Sequence, residues 1–302
     1  MELPKRIEIV EVGPRDGFQN VKTLIPTENK IKIIRGLIKA GVRQMEITSF
    51  VNPKWLPQMA DAALVTESVI KSAPVDFRPI ALAPNRRGVE NAVNAGLSDV
   101  TYVISCSESH NMKNVNRTIS QSMNELEQIR EEFGNVNIRV SLAVSFGCPF
   151  EGEVAHEQVL NQIHNIRDIG IREIVLCDTI GAANPLQVTE LLQEIRWKYR
   201  DISLGLHFHD TRGTGLANIL AGMQMGISVF ETSAGGLGGC PFAPGSAGNT
   251  ATEDLIGMAE GMRLSTGINL EKYLDMVEFI KNTVDAPITG RTSSICKGSR
   301  TI

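Results

Sequence analysis

Two histidines separated by one residue carry the first chemical signal in this sequence. His207 and His209 end an apolar run that reads as a β-strand, and side chains two positions apart in a strand point to the same face. Two neighbouring imidazoles can supply two ligands to a divalent metal ion, although an ordinary pair of histidines near a surface is the alternative. The spacing therefore predicts half of a metal site, which other side chains must complete.

Five further polar or charged residues lie where predicted strands end. Arg15 and Asp16 follow the first strand, Glu46 and Ser49 end the second, and Asp178 ends the sixth. Simpler readings exist: a salt bridge within a turn for Arg15 and Asp16, a surface carboxylate for Glu46, and a helix cap for Asp178. In a barrel of parallel strands these positions share one rim, where active sites are built. We therefore expect them to converge with the two histidines.

A glycine-rich stretch over residues 234–249 follows the eighth predicted strand. Glycine at this density permits backbone conformations that other residues rarely adopt, and a long loop in a compact domain is usually functional or disordered. The stretch presents one thiol, Cys240, before a proline that restricts the local backbone. A small buried hydrophobe is the alternative for this cysteine, and we reject it because the loop offers little apolar surface.

The elements that must position these residues alternate regularly between strands and helices. Eight apolar segments, from Arg6–Val12 to Val229–Thr232, are each followed by a helical pattern, which predicts a (β/α)8 TIM barrel of the α/β class. A doubly wound open sheet is the alternative, but it needs a Gly-x-Gly-x-x-Gly turn where residues 13–17 read Gly-Pro-Arg-Asp-Gly. We expect one catalytic barrel over residues 1–285, with a short C-terminal helical extension, and a flexible tail over residues 286–302.

Composition and charge exclude several classes of function. The 302 residues are 42% hydrophobic and 21% charged, which is typical of a globular enzyme. A net charge of −4 without a basic run argues against nucleic-acid binding. No apolar stretch reaches the roughly 20 residues of a membrane span, the start of the chain shows no targeting pattern, and five cysteines without paired spacing are typical of a reducing compartment. We therefore expect a cytoplasmic location.

The sequence resembles the 3-hydroxy-3-methylglutaryl-CoA lyases, metal-dependent barrel enzymes in a group that includes isopropylmalate and homocitrate synthases. The resemblance runs from about residue 6 to residue 282. The segment 12–17, Glu46 and the histidine pair match the wider group, whereas Gly-Gly-Leu-Gly-Gly-Cys-Pro-Phe-Ala over residues 235–243 is close to the lyase signature. The departures, where lyases usually have Asp, Val, Ala and Tyr, are Glu231, Ala234, Gly235 and Phe242. None of them removes a ligand or the thiol.

The resemblance implies a site and a reaction. The implied cation ligands are Asp16, His207, His209 and Asn249, and oxygen and imidazole donors without a thiolate suit Mg²⁺ or Mn²⁺. The implied catalytic residues are Cys240, Arg15, His207, Asp178 and Glu46, and the implied substrate-binding residues are Arg15 and Ser49. Arg15 would face the thioester oxygen, Cys240 would protonate the departing enolate, and Asp178 and Glu46 would give support or relay a proton.

The expected reaction cleaves 3-hydroxy-3-methylglutaryl-CoA to acetyl-CoA and acetoacetate. The expected partner is this small-molecule acyl-CoA, with no nucleic acid and no membrane, and the expected assembly is a homodimer. A synthase of the same group is the first alternative, but such enzymes usually carry a regulatory domain after the barrel and do not need a loop like that around Cys240. A non-catalytic metal-binding protein is the second, and it leaves Arg15 and Cys240 without a role.

Overall fold

The computed structural model describes residues 3–239 and 248–295, and in these ranges eight β-strands alternate with ten α-helices. The strands are β1 (Glu8–Glu11), β2 (Gln44–Ser49), β3 (Arg78–Leu82), β4 (Asp99–Ser105), β5 (Asn137–Ala143), β6 (Glu173–Asp178), β7 (Ser203–Phe208) and β8 (Val229–Thr232). The helices are α1 (Thr27–Ala40), α2 (Ala62–Ile70), α3 (Arg86–Asn94), α4 (Glu108–Val115), α5 (Ile119–Glu132), α6 (His156–Asp168), α7 (Pro185–Lys198), α8 (Gly215–Gln224), α9 (Thr252–Gly261) and α10 (Leu270–Thr283).

The strands close into a barrel. Each strand pairs in parallel with the next one along the chain, and β8 pairs in parallel with β1. The predicted (β/α)8 TIM barrel is confirmed. Because all strands run the same way, their carboxyl ends meet at a single rim.

The first strand shows how the sheet is buried on both faces. Ile9 belongs to the main apolar core between the sheet and the helices, whereas Val10 and Val12 form a separate buried cluster with Ile80. Successive strand residues point to opposite faces, so the second cluster fills the inside of the barrel. Burying a side chain of this size contributes about 1.5–3 kcal/mol, which explains why the strands are apolar without clean alternation.

Helix α1 illustrates how the outer layer forms. Ile33, Ile34, Leu37 and Ile38 recur at helical spacing and are buried, so one face of the helix packs on the sheet. The helix ends at Gly41, whose φ of 114° lies where side chains other than glycine are disfavoured. None of the helices in the described ranges is both long and apolar enough to cross a membrane.

A local element at the rim was not predicted. Residues 13–17, which follow the first predicted strand, form one turn of π-helix in which the N–H groups of Asp16 and Gly17 donate to the carbonyl of Val12, at 2.7 and 3.2 Å. Pro14 lies at the start of this turn, where its missing N–H costs nothing. Single π turns are frequent at functional sites, and this one presents Arg15 and Asp16.

The chain after α10 returns to the same rim. Within residues 286–295, four backbone N–H groups donate hydrogen bonds to the carbonyl of Gly235 and to the carboxylate of Asp254. These contacts argue against flexibility in this part of the predicted tail, because each one restrains the backbone. Residues 296–302 lie outside the described residues, and the domain boundary at residue 285 stays a prediction.

Candidate metal centre and active site

Four of the predicted cation ligands lie in one buried cluster at the carboxyl rim. The π turn after β1 carries Asp16, the end of β7 carries His207, and His209 follows directly. Asn249 pairs with His209 in an isolated antiparallel bridge, which brings the far end of the glycine-rich stretch to the histidines. All four side chains are buried. The strand ends thus assemble residues that are more than two hundred positions apart in sequence.

The cluster has the dimensions of a metal site. Candidate ligand atoms of Asp16, His207 and His209 lie within 4.8 Å of one another. His209 Nε2 lies 3.9 Å from Asp16 Oδ2. Within the described ranges, Asn249 Oδ1 is buried without a hydrogen-bond partner, and a buried polar atom is costly unless something binds it. A divalent cation would meet that need, since imidazole nitrogen and carboxylate or amide oxygen are its usual donors. The residues present therefore fit such an ion.

A buried carboxylate orients the first histidine. Glu231 Oε2 lies 2.9 Å from His207 Nδ1, which leaves Nε2 of the ring for a metal ion. Arg139 forms a buried ion pair with the other oxygen of Glu231. Burial, with the nearby charge of His209 adding to it, lowers the pKa of His207 to about 3. The imidazole is therefore neutral at physiological pH, which is the form that binds metals.

Asp16 and Asn249 orient each other. Asn249 Nδ2 donates to Asp16 Oδ2 at 2.7 Å and to the carbonyl of Leu237 at 2.9 Å, so its Oδ1 is directed elsewhere. Gln19 Nε2 donates to Asp16 Oδ1 at 2.8 Å. Burial alone would raise the pKa of Asp16, but the positive charge of Arg15 and the two histidines lower it overall. The carboxylate therefore stays ionised and available as a ligand.

We expect Glu231→Gln to weaken Mn²⁺ binding by about 10- to 100-fold, the usual cost of losing an outer partner of a metal ligand. The amide keeps the size of the side chain but loses the charge that pairs with Arg139 and strengthens the hydrogen bond accepted from His207 Nδ1. Isothermal titration with Mn²⁺ measures the effect, and Glu131→Gln, an exposed change on α5, is the matched control. Equal Mn²⁺ affinity in Glu231→Gln and the parent would remove Glu231 from this role.

A single arginine is fixed beside the cluster by two carboxylates. Arg15 Nε donates to Glu46 Oε2 at 2.6 Å, and Nη1 donates to Asp16 Oδ1 at 2.6 Å. Glu46 is fully buried and also accepts a hydrogen bond from Thr101 Oγ1, which rules out the surface-carboxylate alternative. Burial by itself lowers the pKa of Arg15, but the charges of Glu46 and Asp16 raise it overall. A permanent, immobile cation therefore lies next to the metal cluster.

A cavity of about 240 Å³ opens over these groups. Ser49, a predicted substrate-binding residue, lines it, and Ser49 Oγ is buried without a hydrogen-bond partner in the described part of the chain. The wall combines charged groups with apolar side chains, among them Leu82, Val103, Ala143 and Cys177. Such a mixture suits a small acyl group that carries one or two polar oxygens.

The structure does not bring Asp178 into this cavity. Its carboxylate accepts hydrogen bonds from the N–H groups of Ala182 at 2.8 Å and Ala183 at 3.0 Å. Its neighbours Cys177 and Thr179 line the cavity instead. Burial raises the pKa of Asp178 to about 6. Asp178 therefore holds the turn that precedes α7 and does not cap that helix, whose N-cap is Asn184, and a catalytic role for Asp178 stays a prediction.

The sequence interpretation gave no role to three buried charged residues within strands. Glu11 Oε1 accepts the N–H groups of both Gly13 and Ala234 at 2.8 Å, which ties the π turn to the start of the glycine-rich stretch. Arg139 and Glu231 form the ion pair behind His207. A charged residue inside an apolar strand was the available signal, because such a group must find a partner within the protein interior. Cys240 lies outside the described residues, and its role stays a prediction.

Comparison with known proteins gives the same assignment over nearly the whole chain. The HMGL-like family model matches residues 6–280. The chain is 44% identical over 301 residues to hydroxymethylglutaryl-CoA lyase of Bacillus subtilis, covering 99% of this chain and 100% of the relative. It is 40% identical over 298 residues to the human mitochondrial hydroxymethylglutaryl-CoA lyase, covering 98% and 91%.

Solved structures agree with these sequence matches. The crystal structure of the B. subtilis HMG-CoA lyase superposes with a TM-score of 0.93 at 44% identity, covering 97% of this chain and 99% of that one. An HMG-CoA lyase from Acinetobacter baumannii, solved in complex with coenzyme A and 3-methylmalate, gives 0.92 at 34% identity, covering 98% and 96%. With the barrel, the buried ligand cluster and these matches together, the chain belongs to the HMGL-like family of hydroxymethylglutaryl-CoA lyases.

Proposed function

We propose that this protein is a divalent-cation-dependent lyase that cleaves 3-hydroxy-3-methylglutaryl-CoA to acetyl-CoA and acetoacetate. The observation that carries the proposal is the buried cluster of Asp16, His207 and His209, with the fixed guanidinium of Arg15 beside it. Family membership at 44% identity over the whole chain supports the same reaction. The relatives named above are lyases that act on a carbon–carbon bond.

The reaction requires a proton to leave the tertiary hydroxyl at C3 of the substrate as the C2–C3 bond breaks. C3 then becomes the ketone of acetoacetate, and the bonding electrons pass to the thioester as an enolate, which takes up a proton at C2. A bound cation would supply the Lewis acidity that lowers the pKa of the hydroxyl and orients it. The four predicted ligands, Asp16, His207, His209 and Asn249, would hold that cation, and we propose Mg²⁺ or Mn²⁺ because the donors are oxygen and imidazole.

Arg15 stabilises the charge that develops on the thioester oxygen. Its guanidinium is held at 2.6 Å by both Glu46 and Asp16 and lines the cavity, so little reorganisation is needed when the enolate forms. Glu46 acts through Arg15 as its positioning partner, and the hydroxyl of Ser49 offers a donor to the substrate. The geometry of the cavity supports these proposed roles.

Cys240 is proposed as the acid that protonates C2 of the enolate. Support comes from both flanks of the stretch that contains it: Gly239 lines the cavity, and Asn249 belongs to the metal cluster. The chain therefore enters and leaves residues 240–247 at the active site. A thiol with an ordinary pKa of about 8.5 suits proton transfer to a carbanion-like centre.

We expect Arg15→Gln to lower turnover by about 10² or more, as for the loss of one group that stabilises transition-state charge. The loss should fall on kcat, because Arg15 is not a cation ligand. Steady-state assays combined with Mn²⁺ titration distinguish a loss of kcat from a loss of Mn²⁺ affinity. The control is Arg43→Gln, which changes an exposed arginine paired with Asp76. A variant that turns over normally but binds Mn²⁺ weakly would show that Arg15 serves the metal site alone.

The proposal also covers the substrate class, the assembly, the cellular location and the metabolic roles of the enzyme. The relative solved with coenzyme A supports an acyl-CoA substrate. A homodimeric assembly and a cytoplasmic location are also proposed, as are roles in leucine degradation and ketone-body formation, in which acetoacetate and acetyl-CoA are products.

The experiment that tests the function incubates the purified protein with Mg²⁺ and 3-hydroxy-3-methylglutaryl-CoA. We expect acetoacetate and acetyl-CoA to form in equal amounts. The control offers acetyl-CoA with a 2-oxo acid, which a synthase of the group would condense. Condensation without cleavage would replace the lyase with the synthase, and the absence of both reactions would refute an enzymatic role.

A further inference from the structure

The end of the chain lies against the start of the glycine-rich stretch. We call residues 288–292 the C-terminal strap and residues 234–238 the stem. In the strap, the N–H groups of Thr289 and Gly290 donate to the carbonyl of Gly235, at 2.8 and 3.3 Å. Ile288 covers the same residue, since a Cβ added to Gly235 would lie 2.6 Å from Ile288 Cδ1. The strap thus binds one residue of the stem through two backbone hydrogen bonds.

Helix α9 anchors the strap. Asp254 Oδ2 accepts the N–H of Arg291 at 2.9 Å, and Asp254 Oδ1 accepts the N–H of Thr292 at 2.6 Å. The neighbouring Glu253 is buried and accepts the N–H of Gly235 at 3.0 Å. Gly290 packs directly on Glu253, where any Cβ would collide with the carboxylate. Adjacent carboxylates on α9 therefore hold the strap and the stem in one arrangement.

Close contacts at two glycines connect the strap to the metal cluster through the stem. A Cβ added to Gly236 would collide with Thr289 Oγ1 and would lie 3.2 Å from the carbonyl oxygen of Asn249. A Cβ added to Gly248 would collide with the carbonyl oxygen of Gly236. The side chains of Ile288 and Thr289 thus pack on the stem, and the stem backbone packs directly on the backbone of residues 248–249. A shift of the strap is therefore transmitted to the stem and on to residues 248–249.

Residues 248–249, on which the stem packs, include Asn249, one of the four proposed cation ligands. Asn249 Nδ2 donates to the carbonyl of Leu237 in the stem, at 2.9 Å, and Asn249 pairs with His209 through a backbone bridge. The direction of Asn249 Oδ1 therefore depends on where the stem places the Leu237 carbonyl.

We propose that the C-terminal strap positions the metal centre by fixing the stem on which Asn249 depends, with Asp254 and Gly290 as positioning residues. The inference rests on the cation site of the proposed function. It assigns to a segment outside the barrel a role at the active site, which neither strand order nor ligand chemistry requires.

Two variants of the full chain test it. Gly290→Ala places a methyl group where Glu253 lies and should displace that carboxylate from Gly235, whereas Asp254→Asn removes the charged acceptor of the strap. The matched controls are Gly261→Ala, where an added Cβ meets no described atom within 4 Å, and Glu271→Gln, an exposed acid in the first turn of α10. Mn²⁺ affinity by titration calorimetry, kcat and KM, and the melting temperature are measured for all four.

We expect both strap variants to bind Mn²⁺ about 10-fold more weakly than the parent, as for the loss of a residue that supports a metal ligand. Their kcat should also be lower. Both control variants should keep the Mn²⁺ affinity and kcat of the parent. Normal Mn²⁺ affinity and kcat with a lower melting temperature would overturn the proposal, because a purely structural strap predicts that pattern. If Gly290→Ala does not fold, Asp254→Asn decides. The Mn²⁺ measurement needs no substrate, so failure of the strap and failure of the lyase function are distinguishable.

Discussion

Asp16→Ala is expected to weaken Mn²⁺ binding by more than about 100-fold, beyond the usual effect of losing an outer partner, because a direct ligand is lost. Turnover should be nearly abolished with the fold retained. Asp16 also accepts hydrogen bonds from Arg15, Gln19 and Asn249. One substitution therefore removes a ligand and releases three side chains around the cation, which is why its effect should exceed that of Glu231→Gln.

The measurement for this first prediction combines Mn²⁺ titration with a product assay on the same preparation. Asp76→Ala is the matched control, since Asp76 lies in an exposed ion pair with Arg43, before the amino end of β3, and exposed pairs contribute little to stability. His207→Ala and Asn249→Ala should follow Asp16→Ala. Full activity and unchanged Mn²⁺ affinity in any of the three would exclude that residue from the metal site.

Cys240→Ser is expected to lower turnover by about 10² to 10⁴, the range typical of general acid catalysis. Serine keeps the approximate size of the side chain but is a far weaker acid. Mn²⁺ affinity should stay that of the parent, because Cys240 is not a predicted cation ligand. An alkylating thioester analogue should label Cys240 first, because Cys106 and Cys148 are buried. Cys177 lines the cavity, but burial raises the pKa of its thiol to about 12, which leaves little reactive thiolate.

The competing account of Cys240 as a buried hydrophobe predicts the reverse pattern. It requires slow labelling, a lower melting temperature in Cys240→Ser and near-normal turnover. Mass spectrometry of the labelled peptide, together with turnover and melting temperature of the variant, separates the two. A label on Cys106 or Cys296 with an active Cys240→Ser enzyme would contradict the proposed proton transfer.

The barrel and most of the metal cluster could be predicted from the sequence because both depend on local patterns. The alternation of apolar strands with helices requires only periodicity, and the placement of His207 and His209 on one face requires only the two-residue repeat of a strand. Parallel strands then bring Asp16 to the same rim. Asn249 came from the family resemblance, and its bridge to His209 explains its place in the cluster.

The features that could not be predicted from the sequence depend on contacts between residues far apart in the chain or on backbone hydrogen bonds. Asp178 and Glu46 were both predicted at strand ends, yet Glu46 lies within β2 and holds Arg15, whereas Asp178 bonds to the turn that follows it. Sequence position alone does not separate the two outcomes. Arg139 and Glu231 meet inside the barrel from different strands. The C-terminal strap read as a loose tail because its composition is polar, whereas its hydrogen bonds to the stem involve backbone atoms that any sequence carries.

The most direct test of the metal-dependent lyase is a titration of chelated, cation-free protein with Mn²⁺ in the presence of 3-hydroxy-3-methylglutaryl-CoA. The cluster of Asp16, His207 and His209 predicts one cation site per chain. Acetoacetate formation should be absent without Mn²⁺ and should rise in proportion to its occupancy. Acetoacetate formed at full rate by the cation-free protein, or no acetoacetate at full Mn²⁺ occupancy, would contradict the account.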